Sequence, residues 1–378
     1  MSGGRREYAD LGAVVHLDGI PSVLKAELPS LYSSAFCTPE YFRIYHDRPE
    51  VLRACELREP RHVVVFTVQG ATAEVLNRGW SIAPHAFMRA AQAVLRAHPQ
   101  VRRIRVELDF APDELTLPVR HLYSERDFVV ELPSTPDEWE STLGSSTRHN
   151  LHKYHNRLRR QHDDFESRMI EGGAISLELV ELAFSWNRAS ICGRGDRWFY
   201  EDEPEAPHRL WRLMQQGGVC LCAELDGKCA GVNLSVVVGD EWWALVTGTD
   251  PQYMQEHLGL IMFARLTTSS IERGCRRLHW SWGMPEYKQR LGGRPVSIHR
   301  ASVFRSQFDR RLYMGERLSR RVWDGHDVRY LSRPWARRHR PGEPRTAIAP
   351  FAHDLLLRAV YGPRPWRSRL PQDPSRSL

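Results

Sequence analysis

Gly248-Thr249-Asp250-Pro251, then Leu258-Gly259-Leu260-Ile261, then Gly283-Met284-Pro285-Glu286-Tyr287-Lys288 punctuate the stretch whose reading decides the fold. Between the last two runs, Leu260 to Arg273 carries apolar groups at Leu260, Ile261, Ala264, Thr268 and Ile271, one face of a helix of period 3.6. Gly274 follows where a helix C-terminal cap belongs, since glycine enters the left-handed region without steric cost. Leu278, Trp280 and Trp282 then alternate with Arg277, His279 and Ser281, the period of a strand with one buried face. The spacing predicts a strand over Trp242–Thr247, a glycine-bearing turn, a helix, a strand ending at Trp282, and a polar loop that holds Lys288. A helix that starts just past a strand aims unpaired amides, and the positive end of its dipole, at what lies before it. Such ends hold phosphates, and Gly259 would let a diphosphate approach the backbone closely.

Upstream, Val219–Leu225, Ala230–Val238 and Trp242–Thr247 are joined by Asp226-Gly227 and Gly239-Asp240, which predicts an antiparallel meander. Helices are expected over Thr147–Gln161, Ser176–Ile191 and Pro207–Gln216, and a closing strand over Ser297–Phe304. In the first half, strands are expected over Ala13–Leu17, His62–Val68, Ala71–Leu76, Ile104–Leu108 and Phe128–Leu132. Helices are expected near Pro39–His46 and Pro49–Leu57. Another, opening at Pro84, carries Phe87, Ala90, Ala91, Val94 and Leu95 on one side. Pro133-Ser134-Thr135-Pro136 is the clearest boundary, because Thr135 and Glu138 form a capping box with proline at the first helical position. The halves share a plan of strands, helix, strands, but no residue-level repeat. The expected division is 1–134, 135–314, and an extension over 315–378 rich in Arg and Pro.

The 378 residues are 42% apolar and 26% charged, ordinary values for a chain with buried cores. No run approaches the roughly 20 apolar residues of a membrane span, and Met1-Ser2-Gly3-Gly4-Arg5-Arg6 lacks the apolar run of a secretory signal. The cysteines number seven and lie mostly in strand-like runs, so they read as reduced thiols of a cytoplasmic protein. The net charge of +7 belongs to the tail: Glu316–Leu378 holds 14 Arg against six acids, leaving the remainder at −1. That weakens any reading of the body as a nucleic-acid binder. Basic residues are 49 Arg and four Lys, so Lys288 stands out as a compact point charge in a chain that otherwise writes guanidinium forks.

No Gly-Lys-Ser/Thr phosphate loop, Gly-x-Ser-x-Gly elbow or His-Glu-x-x-His helix is present. His149, His152 and His155 share a helix with Arg148 and Lys153, without an accompanying carboxylate. A solvated basic face and a phosphate-facing helix fit them better than a metal site. Trp186-Asn187-Arg188 and Arg194–Trp198 either line a cleft or pack. The tail, with an amphipathic stretch at Ala349–Tyr361, reads as a solvated extension whose partner is unknown, with a membrane-surface or nucleic-acid role as the alternatives.

Three features together resemble the acetyltransferase-like domain of bacterial polysaccharide-synthesis and amino-acid-modifying proteins in the GNAT superfamily, related to the Fem peptidyltransferases. One is Ser145-Ser146-Thr147-Arg148-His149-Asn150-Leu151 with Arg157-Leu158-Arg159-Arg160. The second is Gly248-Thr249-Asp250-Pro251-x-Tyr253 with Leu258-Gly259-Leu260-Ile261, and the third is Gly283-x-x-Glu286-Tyr287-Lys288-x-Arg290-Leu291-Gly292. The resemblance covers 140–305. It implies an α+β fold of two GNAT-like domains, each a mixed, mostly antiparallel sheet flanked by helices, the first of them degenerate.

The resemblance also implies acyl transfer to an amine through a tetrahedral oxyanion. The donor would be an acyl-thioester, acyl-CoA or acyl-carrier protein, and the acceptor a small-molecule amine or sugar-linked precursor. The usual diphosphate motif, Gln/Arg-x-x-Gly-x-Gly/Ala, is matched only by Gln255–Ile261, with one extra residue and no second glycine. No tightly bound cofactor and no metal are therefore expected. On the resemblance, Lys288 stabilises the oxyanion or a donor phosphate, Tyr287 protonates the leaving group, and Glu286 accepts a proton. Leu258, Gly259, Leu260 and Ile261 face the donor, and Arg148 clamps a phosphate or carboxylate. If Glu286, Tyr287 and Lys288 lie on extended chain, at most two of them share a pocket. The alternatives are an aminoacyl-tRNA-dependent transferase, with the basic helix and tail on tRNA, and a non-catalytic GNAT-like binding module.

Overall fold

A computed structural model describes residues 4–46, 51–162, 164–281 and 285–320. Residues Trp282–Met284 and the tail from Arg321, with its stretch Ala349–Tyr361, lie outside the described residues. The first half runs β1 (Arg5–Tyr8), β2 (Ala13–His16), α1 (Ser22–Tyr32), α2 (Pro39–Tyr45), β3 (Arg53–Leu57), β4 (His62–Gln69), β5 (Thr72–Val75), α3 (Pro84–Ala97), β6 (Arg103–Leu108) and β7 (Val119–Glu131). The chain then passes through α4 (Pro136–Thr142), α5 (Ser145–Gln161), β8 (Phe165–Glu171), α6 (Leu177–Cys192) and α7 (Ala206–Met214). The meander follows as β9 (Gly218–Leu225), β10 (Lys228–Val238) and β11 (Glu241–Thr249). The end is α8 (Leu258–Glu272), β12 (Arg277–His279), α9 (Pro285–Arg290), β13 (Arg294–Phe304) and α10 (Gln307–Arg320).

All described strands join one mixed sheet in the order β1-β2-β3-β4-β5-β6-β13-β7-β12-β11-β10-β9-β8. The late strand β13 enters between β6 and β7 and pairs antiparallel with both. Along β9–β11 the two faces alternate as a pleat requires. Cys220, Cys222, Leu234, Trp243 and Val246 pack with α6 and α7, whereas Leu221, Ala223, Trp242 and Ala244 pack with α4, α5 and α8. Helices α6 and α8 therefore cover opposite faces of the same strands.

The meander and the strand–helix–strand unit form as their turns and periodicity require, and Gly274 takes φ +75° just past α8. The capping box closes one residue wider than a minimal one. Thr135 Oγ1 accepts from the Glu138 amide at 3.2 Å, and the Glu138 carboxylate accepts from the Ser134 amide at 3.0 Å. Three expectations change. The segment read as a helix up to Leu57 is the strand β3 over Arg53–Leu57, laddered between β2 and β4, while Pro49 lies outside the described residues. The strand expected to end at Trp282 ends at His279, and the loop around Lys288 is the helix α9 from Pro285. The strand at Phe128 begins nine residues earlier, at Val119, because β13 supplies a long partner edge.

The join in the middle of the sheet is narrow. Each residue of β12 pairs on both sides: Arg277 with Glu131 and Glu241, Leu278 with Val130 and Trp242, His279 with Val129 and Trp243. At this join the buried ring of His279 lies flat on Trp243, 3.6 Å between centroids. Its Nδ1 is 2.9 Å from Asp127 and its Nε2 2.8 Å from Glu241. Burial opposes charge on this ring, but the bonds to Asp127 and Glu241 outweigh it and hold the pKa above the usual 6.5. Arg277 completes the network on Glu241.

A raised histidine pKa means that the stabilisation is complete below the unfolded value and fades as pH rises through the folded one. We expect the melting temperature of His279→Gln to fall furthest below wild type below about pH 6.5, the gap narrowing as pH rises above it. Asp127→Asn should cost about 3 kcal/mol near neutral pH, because it strips the buried His279 ring of one of its two carboxylates and Lys288 of its nearby opposite charge.

Candidate active site

Past the pair Trp243–His279, β11 continues to Thr249 against β10, but β12 has ended, so the sheet opens into a cleft. A bulge in β11 marks the opening. Leu234 lies opposite Val246 and Ser235 opposite Ala244, so Leu245 is an extra residue turned out of register. Across the gap Ser281, held at φ +53°, donates its hydroxyl to the Ala244 carbonyl at 2.6 Å. The cleft has a volume of about 570 Å³, within the range of small-molecule sites.

Its walls come from both faces of the sheet. On one face it is bounded by Asn187, Ser190, Ile191 and Arg194 at the end of α6. On the other it is bounded by Ser146, Thr147, Asn150 and Tyr154 of α5 with Gly259, Leu260 and Phe263 of α8. Leu245, Thr247, Trp280, Ser281, Tyr287 and Lys288 line the passage between them. The cleft is therefore lined from both faces of the sheet.

Local sequence sets each wall. Helix α6 comes close because Gly248 has no side chain: a Cβ there would lie 2.4 Å from the Ala183 carbonyl oxygen. Asn187 fixes the same contact, donating to the Thr247 carbonyl at 2.8 Å and accepting from the Trp198 indole at 3.0 Å. Helix α8 begins directly after His257, whose backbone is left-handed (φ +59°) and whose carbonyl accepts from the Leu260 amide. The amides of Leu258 and Gly259 head the helix, where no carbonyl of α8 reaches them. The His257 ring stacks on Tyr154 at 4.0 Å, and burial with Arg157 and Lys153 nearby keeps it below its usual pKa.

The structure sorts the residues singled out in the sequence. Lys288 is 1% exposed, and its Nζ donates to the carbonyls of Trp280 and Ser281, both at 2.7 Å. Burial pushes its pKa down to about 7, with the Asp127 carboxylate acting against the shift. Tyr287 lines the cleft beside Phe263. Burial raises its pKa well above 10, partly offset by Arg194, so the phenol keeps its proton at neutral pH. Glu286 is exposed and does not line the cleft. On a helix, successive side chains diverge by about 100°, so Tyr287 and Lys288 share the cavity and Glu286 does not.

Gly259 and Leu260 line the cleft, while Leu258 and Ile261 are buried in the core under α8. Arg148 lies outside the lining and donates to the carbonyls of Ser141 and Glu140, at 2.9 and 3.5 Å, which ties α4 to α5. Sequence reasoning did not single out Asn150, Tyr154, His257, Trp280 or Ser281. Asn150 and His257 fall inside or beside quoted motifs, and Ser281 is the polar end of an alternating strand, so the signals were present but carried no role.

Residues 145–289 match the family model described as an acetyltransferase (GNAT) domain. No curated protein matches the chain. Among solved structures, FemX is similar over 73% of this chain and 95% of its own, with a TM-score of 0.54 at 8% identity. L-PGS from Bacillus licheniformis is similar over 77% of this chain and 93% of its own, with a TM-score of 0.47 at 12% identity. A GCN5-related N-acetyltransferase from Kribbella flavida is similar over 65% of this chain and 86% of its own, with a TM-score of 0.33 at 13% identity. At such identities FemX speaks for fold, and the other two are too loose to add to it. The chain carries a GNAT-type acetyltransferase domain. Its wider fold is Fem-like.

Gly248→Ala should force α6 away from β11, lowering stability by about 1–3 kcal/mol and disordering the Asn187 side of the cleft. Thermal melting together with hydrogen exchange in α6 checks both effects.

Proposed function

We propose that the protein is an acyltransferase that moves an acyl group from an acyl-thioester, carried by coenzyme A or an acyl-carrier protein, to the amine of a small metabolite or sugar-linked acceptor. The observation that carries this reading is the cleft where β11 and β12 part, whose two walls differ in chemistry. The wall at α5 and α8 offers helix-head amides, a glycine, and the hydroxyls of Ser146 and Thr147, suited to a donor with anionic oxygens. The wall at α6 offers Asn187, Ser190 and Arg194, suited to a polar acceptor.

The acceptor amine enters neutral and attacks the thioester carbonyl in the passage between Leu245 and Ser281. A C–N bond forms, the carbonyl oxygen takes up negative charge, and collapse breaks the C–S bond. Tyr287, still protonated, gives its proton to the leaving sulfur and is restored by the proton that the nitrogen loses. Lys288 acts through the peptide it holds. Its bonds to two successive carbonyls fix Ser281 in the left-handed region and set positive charge behind the passage where the oxyanion grows. Glu286 has no role in this scheme.

A second reading has a specific observation behind it. Along its exposed side α5 carries Lys153, Arg159 and Arg160, and an aminoacyl-tRNA would find phosphate contacts there. The two donors separate by salt dependence, because tRNA binding should weaken steeply as salt rises and coenzyme A binding should not.

A Cβ on Gly259 would meet nothing nearer than Thr249 at 3.7 Å, so Gly259→Ala should leave the melting temperature unchanged. It should raise the donor KM roughly tenfold by keeping anionic oxygens off the helix head. Tyr287→Phe should lower kcat by roughly a hundredfold with little change in donor affinity. Calorimetric titration with coenzyme A, acyl-carrier protein and charged tRNA, followed by turnover of these variants, checks the reading. Failure of all three to bind, or full activity of Tyr287→Phe, would overturn it.

A further inference from the structure

A second recess, of about 480 Å³, lies on the α5/α8 face and is separated from the cleft by α8. Leu260 and Phe263 of that helix face the cleft, whereas Ile261, Met262 and Ala264 face the recess. The floor is apolar: Leu221 and Ala223 of β9, with Phe165 of the edge strand β8. Leu151 closes the α5 side, and small side chains at Ala223, Ala264 and Ser167 leave the space unfilled.

The rim is cationic. Arg159 has no acidic partner among the described residues, and Arg265 has only Glu272 at 3.7 Å, a pair half-exposed on both sides and therefore weak. His152 lies 2.7 Å from the Glu140 carboxylate, the one acidic group of the lining. His155 stands over Phe165, and burial, with Arg159 and His152 close by, keeps it below its usual pKa. The rim thus presents two guanidinium groups above an oily trough. The chain's own tail, with 14 Arg against six acids, carries the wrong sign to fill it.

We propose that this recess binds a single-chain amphiphile with an anionic head, the alkyl chain lying along Leu221, Phe165 and Met262 and the head between Arg159 and Arg265. The shared chemistry is one hydrocarbon chain ending in a carboxylate or phosphate. The site is distinct from the cleft and does not depend on the acyl-transfer reading.

Calorimetric titration of the full chain with dodecanoate and with dodecyl phosphate, below their micellar concentrations, tests the proposal. Saturable one-to-one binding by either supports it, and the tighter of the two identifies the head. Arg159→Gln with Arg265→Gln should weaken that binding roughly tenfold and leave dodecanol binding unchanged. Ala264→Trp should abolish chain binding. Because Ala264→Trp could disturb packing, photo-cross-linking of the unmodified protein with a diazirine-bearing alkyl carboxylate gives an independent readout. Label on α5, β8 and the Ile261–Ala264 segment supports the proposal. Label confined to the cleft residues Ser281, Tyr287 and Lys288, or dodecylammonium binding as tightly as dodecanoate, overturns it.

Discussion

The molecule depends on how three residues hold two half-sheets together. Strand β12 pairs with both β7 and β11; its ladder to β11 stops at His279, while toward β7 the Trp280 amide still donates to the Phe128 carbonyl at 2.8 Å. Backbone bonds over so short a strand are few, and each contributes only about 1 kcal/mol net. A buried imidazole between Asp127 and Glu241, stacked on Trp243, clamps the three strands at the point where they part. Because the ladder between β11 and β12 ends there, the space beyond it is open, and the same geometry that joins the halves creates the cleft.

Lys288 belongs to the same construction. Its ammonium lies one residue step beyond His279 along the chain's path, bonded to the carbonyls of Trp280 and Ser281, which have no strand partner left on the β11 side. Asp127 serves both cations: it accepts from His279, and its charge opposes the loss of the proton on Lys288. The pKa values of the two buried bases are shifted in opposite directions, since partner bonds raise His279 and burial lowers Lys288. Near neutral pH the fork and the passage behind it are therefore electrostatically coupled through one carboxylate.

Much of this architecture is legible in the residues, and the failures have physical reasons. The meander is written in its Asp-Gly and Gly-Asp turns, α8 in its apolar stripe, and α4 in its capping box. Strand β8, Phe-Glu-Ser-Arg-Met-Ile-Glu, is an edge strand with four polar residues in seven and no strict alternation, which resembles a loop when its neighbour β9 is not known. Arg-Ala-Cys-Glu-Leu at β3 is strand only because β2 and β4 flank it. The insertion of β13 between β6 and β7 is a pairing across some 190 positions, invisible to any local period. The tyrosine and lysine of the cleft could be found by resemblance. The His279 network could not, because Asp127, Glu241 and His279 are brought together only by strand register.

Residue-resolved hydrogen exchange on wild type and Asp127→Asn tests most directly whether the buried charge network holds the fork. The account predicts that in wild type the amides of Leu278 and Trp280 exchange only through global opening. In Asp127→Asn they should exchange roughly a hundredfold faster, while those of Val63–Phe66 in β4 change far less. Fast exchange at Leu278 in wild type, or equal acceleration across both half-sheets, would contradict it.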